Sequence, residues 1–294
     1  MAFPSWQLER GDEIAAGYLA LDLLGGGEVY ESYLAWDRER FTGVVAKMLR
    51  PNWVEDDWAR ASLAAECELL ASLAHPFVVR GFGGHFDVER PFLVMEHLDG
   101  PTLADAFEDH QADLHEVLAL IMHLASALHY LGGREIVHLD VKPGNIVMGE
   151  QPRLIDFSLA RHFSRIPRMR VQIGTESYMS PEQARIDTAA IGPAADVWGL
   201  GVTLYEACCG RLPFPAAPSG LTEDAPLEQR YPQLAGNPAP PGRNVPSALA
   251  DLVMACLADA PADRPLPGQI VLALEPMIAA LPRPVAGRKK LFYV

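Results

Sequence analysis

An α+β fold in two lobes, a small β-rich one followed by a larger helical one, is what this chain predicts. Up to Glu96 the apolar residues fall mostly in short strand-like runs, separated by turns that contain Gly. After Asp99-Gly100 the pattern changes, and Leu114, Val117, Leu118, Ile121, Leu124, Leu128 and Leu131 form a long helical stripe. At 294 residues the chain is long enough to bury a substantial core in two lobes.

Taken in order, residues 18–24, 28–35 and 43–49 are expected as strands, short apolar-rich runs set apart by turns that contain Gly. Residues 57–73 are expected as a helix, since Leu63, Cys67, Leu70 and Leu73 recur at helical spacing. Residues 77–86 and 91–96 complete the strands. Residues 196–209 form an almost wholly apolar segment, expected as a central helix. Residues 213–246 are rich in Pro and are expected to be irregular, and helices over 247–257 and 267–281 close the chain. This divides the sequence into a first lobe over 1–95, a hinge over 96–100, a helical lobe over 101–284 and a basic-aromatic tail over 285–294. No internal repeat is evident.

Composition removes several function classes. The net charge of −14 disfavours nucleic acid or an anionic membrane as the main partner. The tail Arg288-Lys289-Lys290-Leu291-Phe292-Tyr293 is the exception, either as a solvated end or as the start of a juxtamembrane segment in a longer protein. No apolar run reaches the roughly 18–20 residues that a spanning helix needs, so no membrane span is expected in this chain. The N-terminus MAFPSWQLER lacks a basic region followed by an apolar stretch, which argues against a signal peptide. The four cysteines, Cys67, Cys208, Cys209 and Cys256, have no metal-ligand spacing and are expected as buried thiols in a reducing cytoplasm. The histidines His110, His115, His123 and His129 are scattered along helix faces and are expected to be structural.

The chemistry concentrates in two neighbouring segments. His138-Leu139-Asp140-Val141-Lys142-Pro143-Gly144-Asn145 is followed, eleven positions after the Asn, by Asp156-Phe157-Ser158. Two carboxylates, a carboxamide and a lysine suit phosphoryl transfer, which needs a held nucleotide, metal ions on the phosphates and an oriented nucleophile. The pattern resembles the protein-kinase signature H-R-D-L-x-x-x-N followed by D-F-G, with Leu139 in place of Arg and Ser158 in place of Gly. Upstream, Val44-Val45-Ala46-Lys47 and Glu66 resemble the family's strand lysine and helix glutamate. Downstream, Gly174-Thr175-Glu176-Ser177-Tyr178-Met179-Ser180-Pro181-Glu182 resembles G-T-x-x-Y-M-x-P-E. Asp196 resembles the helix aspartate that braces the catalytic loop, and Arg264 the arginine that pairs with the Glu of P-E, here Glu182.

The resemblance is to eukaryotic-like serine/threonine protein kinases, and its phrasing to bacterial ones. It covers residues 18–281. It implies a bilobal protein-kinase-like fold and ATP- and Mg²⁺-dependent phosphorylation of Ser or Thr on proteins, itself included, with Mn²⁺ as an alternative metal. Asp140 would orient the substrate hydroxyl and accept its proton. Lys142 would meet the γ-phosphate, Lys47 the α/β-phosphates, and Glu66 would fix Lys47. Asn145 and Asp156 would hold the metal, a hard cation that takes oxygen ligands. Met95, Glu96 and Leu98 would line the adenine pocket, with Val29, Ala46 and Val147 around the ring. Leu70, Phe82, His138 and Phe157 resemble the family's stacked internal spine. Lys142 and Thr175 match the Ser/Thr branch. The partner implied is a protein substrate of unspecified identity, and a homodimer is left open.

The glycine-rich loop matches the family least. Leu21-Asp22-Leu23-Leu24-Gly25-Gly26-Gly27-Glu28-Val29-Tyr30 fits G-x-G-x-x-G-x-V without gaps only at Gly27 and Val29. Gly25, Gly26 and Gly27 either let backbone N–H groups approach phosphate or form a flexible hairpin with poor grip. Two other readings stand beside the kinase. A pseudokinase scaffold would explain Leu139, Ser158 and the altered loop. A small-molecule phosphotransferase would share His-x-Asp-x-x-x-x-Asn, but not the platform around Thr175 or Arg264. No Gly-Lys-Ser/Thr occurs, which excludes a Walker-type NTPase. Arg161, Arg165, Arg168 and Arg170 stand in a stretch with no Asp or Glu before Glu176, and either dock an acidic partner, pair with this protein's own carboxylates or are solvated.

Overall fold

The computed structural model describes residues 3–109, 114–222, 224–242 and 244–280. The fold is α+β, and the chain divides into two compact units, residues 1–99 and 100–294. The basic tail, His110 and the end of the last expected helix at Leu281 lie outside the described residues.

Among its described residues the first unit is a six-stranded antiparallel sheet with one α-helix and a short 3₁₀ turn at Pro51–Trp53. Strands β1 (Glu13–Ala15), β2 (Tyr18–Gly26), β3 (Tyr30–Asp37), β4 (Thr42–Leu49), β5 (Gly81–His85) and β6 (Phe92–Glu96) are ordered β1-β2-β3-β4-β6-β5. Side chains alternate between the faces of a strand. One face carries Tyr33 and Ala35 from β3, Val44, Ala46 and Met48 from β4, and Phe92 and Val94 from β6, all buried in one cluster. Helix α1 (Asp57–Ser72) starts where the Asp56 carboxylate accepts the Ala59 N–H at 2.8 Å. It buries Ala59, Leu63, Glu66, Cys67 and Leu70. The expected strand over 77–86 is shorter than its apolar content suggests, with only Gly81–His85 paired into the sheet.

The second unit is mostly helical. It comprises α2 (Leu103–Asp109), α3 (Leu114–Gly132), α4 (Pro181–Arg185), α5 (Pro193–Cys209), α6 (Leu227–Arg230), α7 (Ser247–Cys256) and α8 (Pro267–Ala280), with the small strands β7 (Ile136–Val137), β8 (Ile146–Met148), β9 (Pro152–Leu154) and β10 (Arg161–His162). Helix α3 packs against α5 and α8, and α5 packs against α7. Helix α5 is central, burying Asp196 through Tyr205 without a break. Gly199 and Gly201 allow that depth. A Cβ on Gly199 would sit 2.8 Å from the Val141 carbonyl oxygen, and one on Gly201 would sit 2.8 Å from Cys256 Cβ. The Pro-rich stretch holds α6 and a short 3₁₀ turn at Pro232–Leu234. All four thiols are unbridged, but only Cys67 and Cys256 are buried; Cys208 and Cys209 are partly exposed, because they occupy the last turn of α5.

Candidate active site

In the first unit, β4 presents Lys47 and α1 presents Glu66. Lys47 Nζ lies 2.8 Å from each Glu66 carboxylate oxygen. The pair is buried, with side chains 8% and 1% exposed, so each charge offsets the other's desolvation. The Tyr30 ring lies 4.9 Å from the same ammonium.

Strand register corrects two expectations. Ala46 was expected beside the nucleotide with Lys47, but adjacent residues of a strand face opposite ways. Ala46 is paired with Tyr33 and buried in the sheet's apolar cluster. Val45 is the β4 residue on the Lys47 face, and it pairs with Met95 on β6. Val29 was expected as a wall of the ring pocket, yet it lies in the turn between β2 and β3, and Ser32 is the residue opposite Lys47. The turn itself needs its glycines. Gly25 and Gly26 have φ of 137° and 157°, and a Cβ on Gly26 would collide with the Tyr30 carbonyl. Gly27, at the turn, is exposed. Met95 and Glu96 end β6 and Leu98 lies just beyond it. The Glu96 carboxylate accepts the Arg80 N–H at 2.7 Å.

In the second unit the loop after β7 carries His138, Asp140 and Lys142, and a 3₁₀ turn at Pro143–Asn145 delivers Asn145 into β8. Strands β8 and β9 pair antiparallel with Ile146 opposite Leu154, which brings Asp156 back beside this loop. The Ile155 N–H donates to the Asn145 carbonyl at 2.8 Å. Val147, expected against the ring, is on β8 opposite Arg153 and bridges to Thr102.

Asp140 is the centre of the arrangement. Its Oδ1 accepts the backbone N–H and the hydroxyl of Thr175, both at 2.8 Å. Its Oδ2 accepts from Asn145 Nδ2 at 2.8 Å and lies 2.8 Å from Lys142 Nζ. Lys142 also donates to the Thr175 hydroxyl, which therefore bridges lysine and aspartate. The Asn145 amide nitrogen also donates to the Asp140 carbonyl at 2.9 Å, which leaves its Oδ1 as the atom that would meet a cation. Asn145 Oδ1 and the Asp156 carboxylate are hard oxygen donors that fit Mg²⁺.

The backbone here is unusual. Leu139 and Asp156 hold left-handed conformations, φ 68° and 59°, without being glycine. Ser158 is not among the residues with positive φ, so a Cβ is accommodated at that position. Asp196 fixes the first of these turns. Its two oxygens accept the N–H groups of His138 and Leu139, each at 2.8 Å. Burial pushes its carboxyl up to about 7, opposed by those two N–H donors. His138 is fully buried and burial holds its pKa below the ordinary value. It accepts the Asp140 N–H at Nδ1 and faces the Ile155 carbonyl from Nε2 at 3.2 Å, which selects the neutral Nε2–H tautomer. The Phe157 ring meets it edge-on with centroids 4.7 Å apart. Leu70 and Phe82, the other expected spine members, belong to the first unit.

The segment after Phe157 is held by contacts that the motif alone did not disclose. Leu139, 3% exposed, packs with Val137, Ile166, Ile191 and Ala195, flanked by Phe163, Met169 and Ile173. Gln183 Nε2 donates to the carbonyls of Leu139 at 2.9 Å and Ile173 at 3.1 Å. Gln233 ties down the carbonyls of Glu176 and Met179. The spacing Ser180-x-x-Gln183 is the readable signal for the first of these, since it forms a capping box at the start of α4. Arg264 holds both Glu182 oxygens, at 2.6 and 2.9 Å, with its guanidinium over Trp198. Arg165, Arg168 and Arg170 are exposed, and Arg161 and Arg170 bond carbonyls of their own segment.

Comparison with known proteins agrees with this geometry. Residues 18–273 match the protein kinase domain family. The chain is 31% identical over 257 residues to the serine/threonine-protein kinase PknB of Mycobacterium tuberculosis, covering 83% of this chain and 40% of PknB. It is 31% identical over 270 residues to the DNA damage-responsive serine/threonine-protein kinase RqkA of Deinococcus radiodurans, covering 89% and 39%. Against the serine/threonine-protein kinase ULK3 of Mus musculus it is 34% identical over 225 residues, covering 73% and 45%. The chain thus spans about two fifths of the length of its bacterial relatives. With a match that takes in Lys47, Asp140, Asp156 and Arg264 alike, the chain belongs to the protein kinase domain family.

Proposed function

We propose that this chain transfers the γ-phosphoryl group of ATP to Ser or Thr hydroxyls of proteins, its own included. The observation that carries the reading is the Asp140 carboxylate, held by Thr175, Asn145 and Lys142 through a full set of hydrogen bonds. A carboxylate fixed this way can orient a hydroxyl and take its proton. Lys142 places positive charge where a transferring phosphoryl group gathers negative charge. Asn145 and Asp156 would hold Mg²⁺, which when bound neutralises charge on the phosphates. Lys47, pinned by Glu66, would position the α- and β-phosphates. Thr175 bridging Asp140 and Lys142 supports Ser/Thr acceptors. ATP chemistry and four unbridged thiols fit the cytoplasm. Among the described residues no helix is long and apolar enough to cross a membrane.

The test is label transfer from γ-labelled ATP with Mg²⁺, followed by phosphoamino-acid analysis. Phosphoserine or phosphothreonine is expected, and Lys47→Met and Asp156→Asn should each abolish it. Undiminished label in Asp156→Asn would show that the metal and phosphate assignments are wrong.

A further inference from the structure

Beneath the turn Gly25–Val29 lies a buried charge pair that none of the roles above uses. Arg50 follows β4 and Glu31 lies on β3; their exposures are 8% and 0%. Arg50 Nη1 is 3.0 Å from Glu31 Oε2. The same guanidinium donates from Nε to the Gly27 carbonyl at 2.6 Å and from Nη1 to the Pro4 carbonyl at 2.8 Å. Its backbone N–H donates to the Val29 carbonyl at 2.9 Å. The other Glu31 oxygen accepts the Trp6 N–H at 2.9 Å and lies 3.5 Å from the Tyr33 hydroxyl. Trp6 Nε1 donates to the Leu49 carbonyl at 2.8 Å, and the Leu8 N–H to the Tyr33 hydroxyl at 3.3 Å. One ion pair therefore ties the segment over residues 4–8 to the glycine turn.

The consequence follows from peptide geometry. The Gly27–Glu28 peptide is trans and planar, so its carbonyl and its N–H point in opposite directions. With the Gly27 oxygen drawn inward to Arg50, the Glu28 N–H is turned to the open side of an exposed turn. A turn rich in glycine would otherwise sample many orientations, and fixing its peptides in advance removes that ordering cost from ligand binding. We infer that Arg50 is a positioning residue that sets the turn Gly25–Val29 to receive nucleotide phosphates, and that the N-terminal segment acts on phosphate affinity through it. The inference rests on the nucleotide reading given above. A hairpin tethered in this way would grip phosphate where a free one would not.

Arg50→Lys is the informative substitution. It keeps a cation beside Glu31, but a single ammonium on a flexible stem cannot reproduce a planar fork directed at three acceptors. The full chain, as wild type, Arg50→Lys, Trp6→Ala and the double variant, is titrated with Mg-ATP and separately with adenosine, which has no phosphate. For Arg50→Lys, ATP affinity is expected to fall about tenfold, the scale of one charge-assisted hydrogen bond, with adenosine affinity unchanged. Trp6→Ala should weaken ATP in the same selective way, and its effect should largely vanish in the Arg50→Lys background. Unchanged ATP affinity in Arg50→Lys, or equal losses for ATP and adenosine, would overturn the inference. A full Trp6→Ala effect in the double variant would overturn the part assigned to the N-terminal segment. A wild-type protein that binds neither ligand would instead overturn the nucleotide reading on which the inference stands.

Discussion

Thr175 does more at the site than its place in the G-T-x-x-Y-M-x-P-E stretch announces. Its hydroxyl is shared between Asp140 and Lys142, so removing it breaks two contacts at once, one to the proposed base and one to the proposed phosphate-binding lysine. Thr175→Ala should lower kcat by about tenfold or more, ~1.4 kcal/mol in the barrier, whereas Thr175→Ser retains most activity. Equal kcat in wild type and Thr175→Ala would contradict the bridging role. His138 offers a second residue-level test. Burial lowers its pKa, so below pH ~6.5 the unfolded chain binds a proton that the folded chain refuses. The stability tied to this group is complete above pH ~6.5 and is lost as pH falls toward the folded pKa. Urea midpoints at pH 7.5 and 5.5 should therefore fall less on acidification in His138→Phe than in wild type. An identical fall in both would show that the histidine carries no such linkage.

At the scale of elements, the decisive feature is the apolar cluster around Leu139. Where the H-R-D signature has an arginine, this chain buries a leucine against Ile166, with Phe163, Met169 and Ile173 of the following segment alongside. Burial of apolar surface can order that segment without any charge. Between Arg165 and Ile173 there is also no Ser, Thr or Tyr to be phosphorylated. Exhaustive phosphatase treatment and Ser164→Ala are expected to leave kcat unchanged; a tenfold fall would contradict the account. Leu139→Ala should cost ~2–4 kcal/mol of stability, the range for emptying a leucine site in a core, read from denaturant midpoints. The same cluster explains how Leu139 stays in a left-handed conformation, because its packing and the Asp196 carboxylate determine the turn from both sides.

Across the whole molecule, the sequence was most legible where chemistry forces residue type and spacing together. The loop carrying Asp140 and Asn145, the Lys47 and Glu66 pair, and the Glu182 and Arg264 pair could each be named from letters alone. The long helices were legible because their apolar stripes persist for several turns. Register was not. Val44, Val45 and Ala46 are all apolar, so nothing local said which of them shares the Lys47 face, and a shift of one residue reverses the answer. Strand β1 is only three residues long, and α2 only seven, too short for periodicity to reveal. Nothing local in the letters marks Arg50 and Glu31 as buried, since their burial depends on a segment more than twenty residues away. The most direct measurement is transfer of γ-labelled phosphate from Mg-ATP to the chain itself and to a generic protein substrate, with Asp140→Asn in parallel. Label is expected on Ser or Thr in the wild type and none above background in Asp140→Asn, whose thermal melting stays close to wild type. Label of equal intensity in both, or no transfer from a folded wild type that binds Mg-ATP, would contradict it.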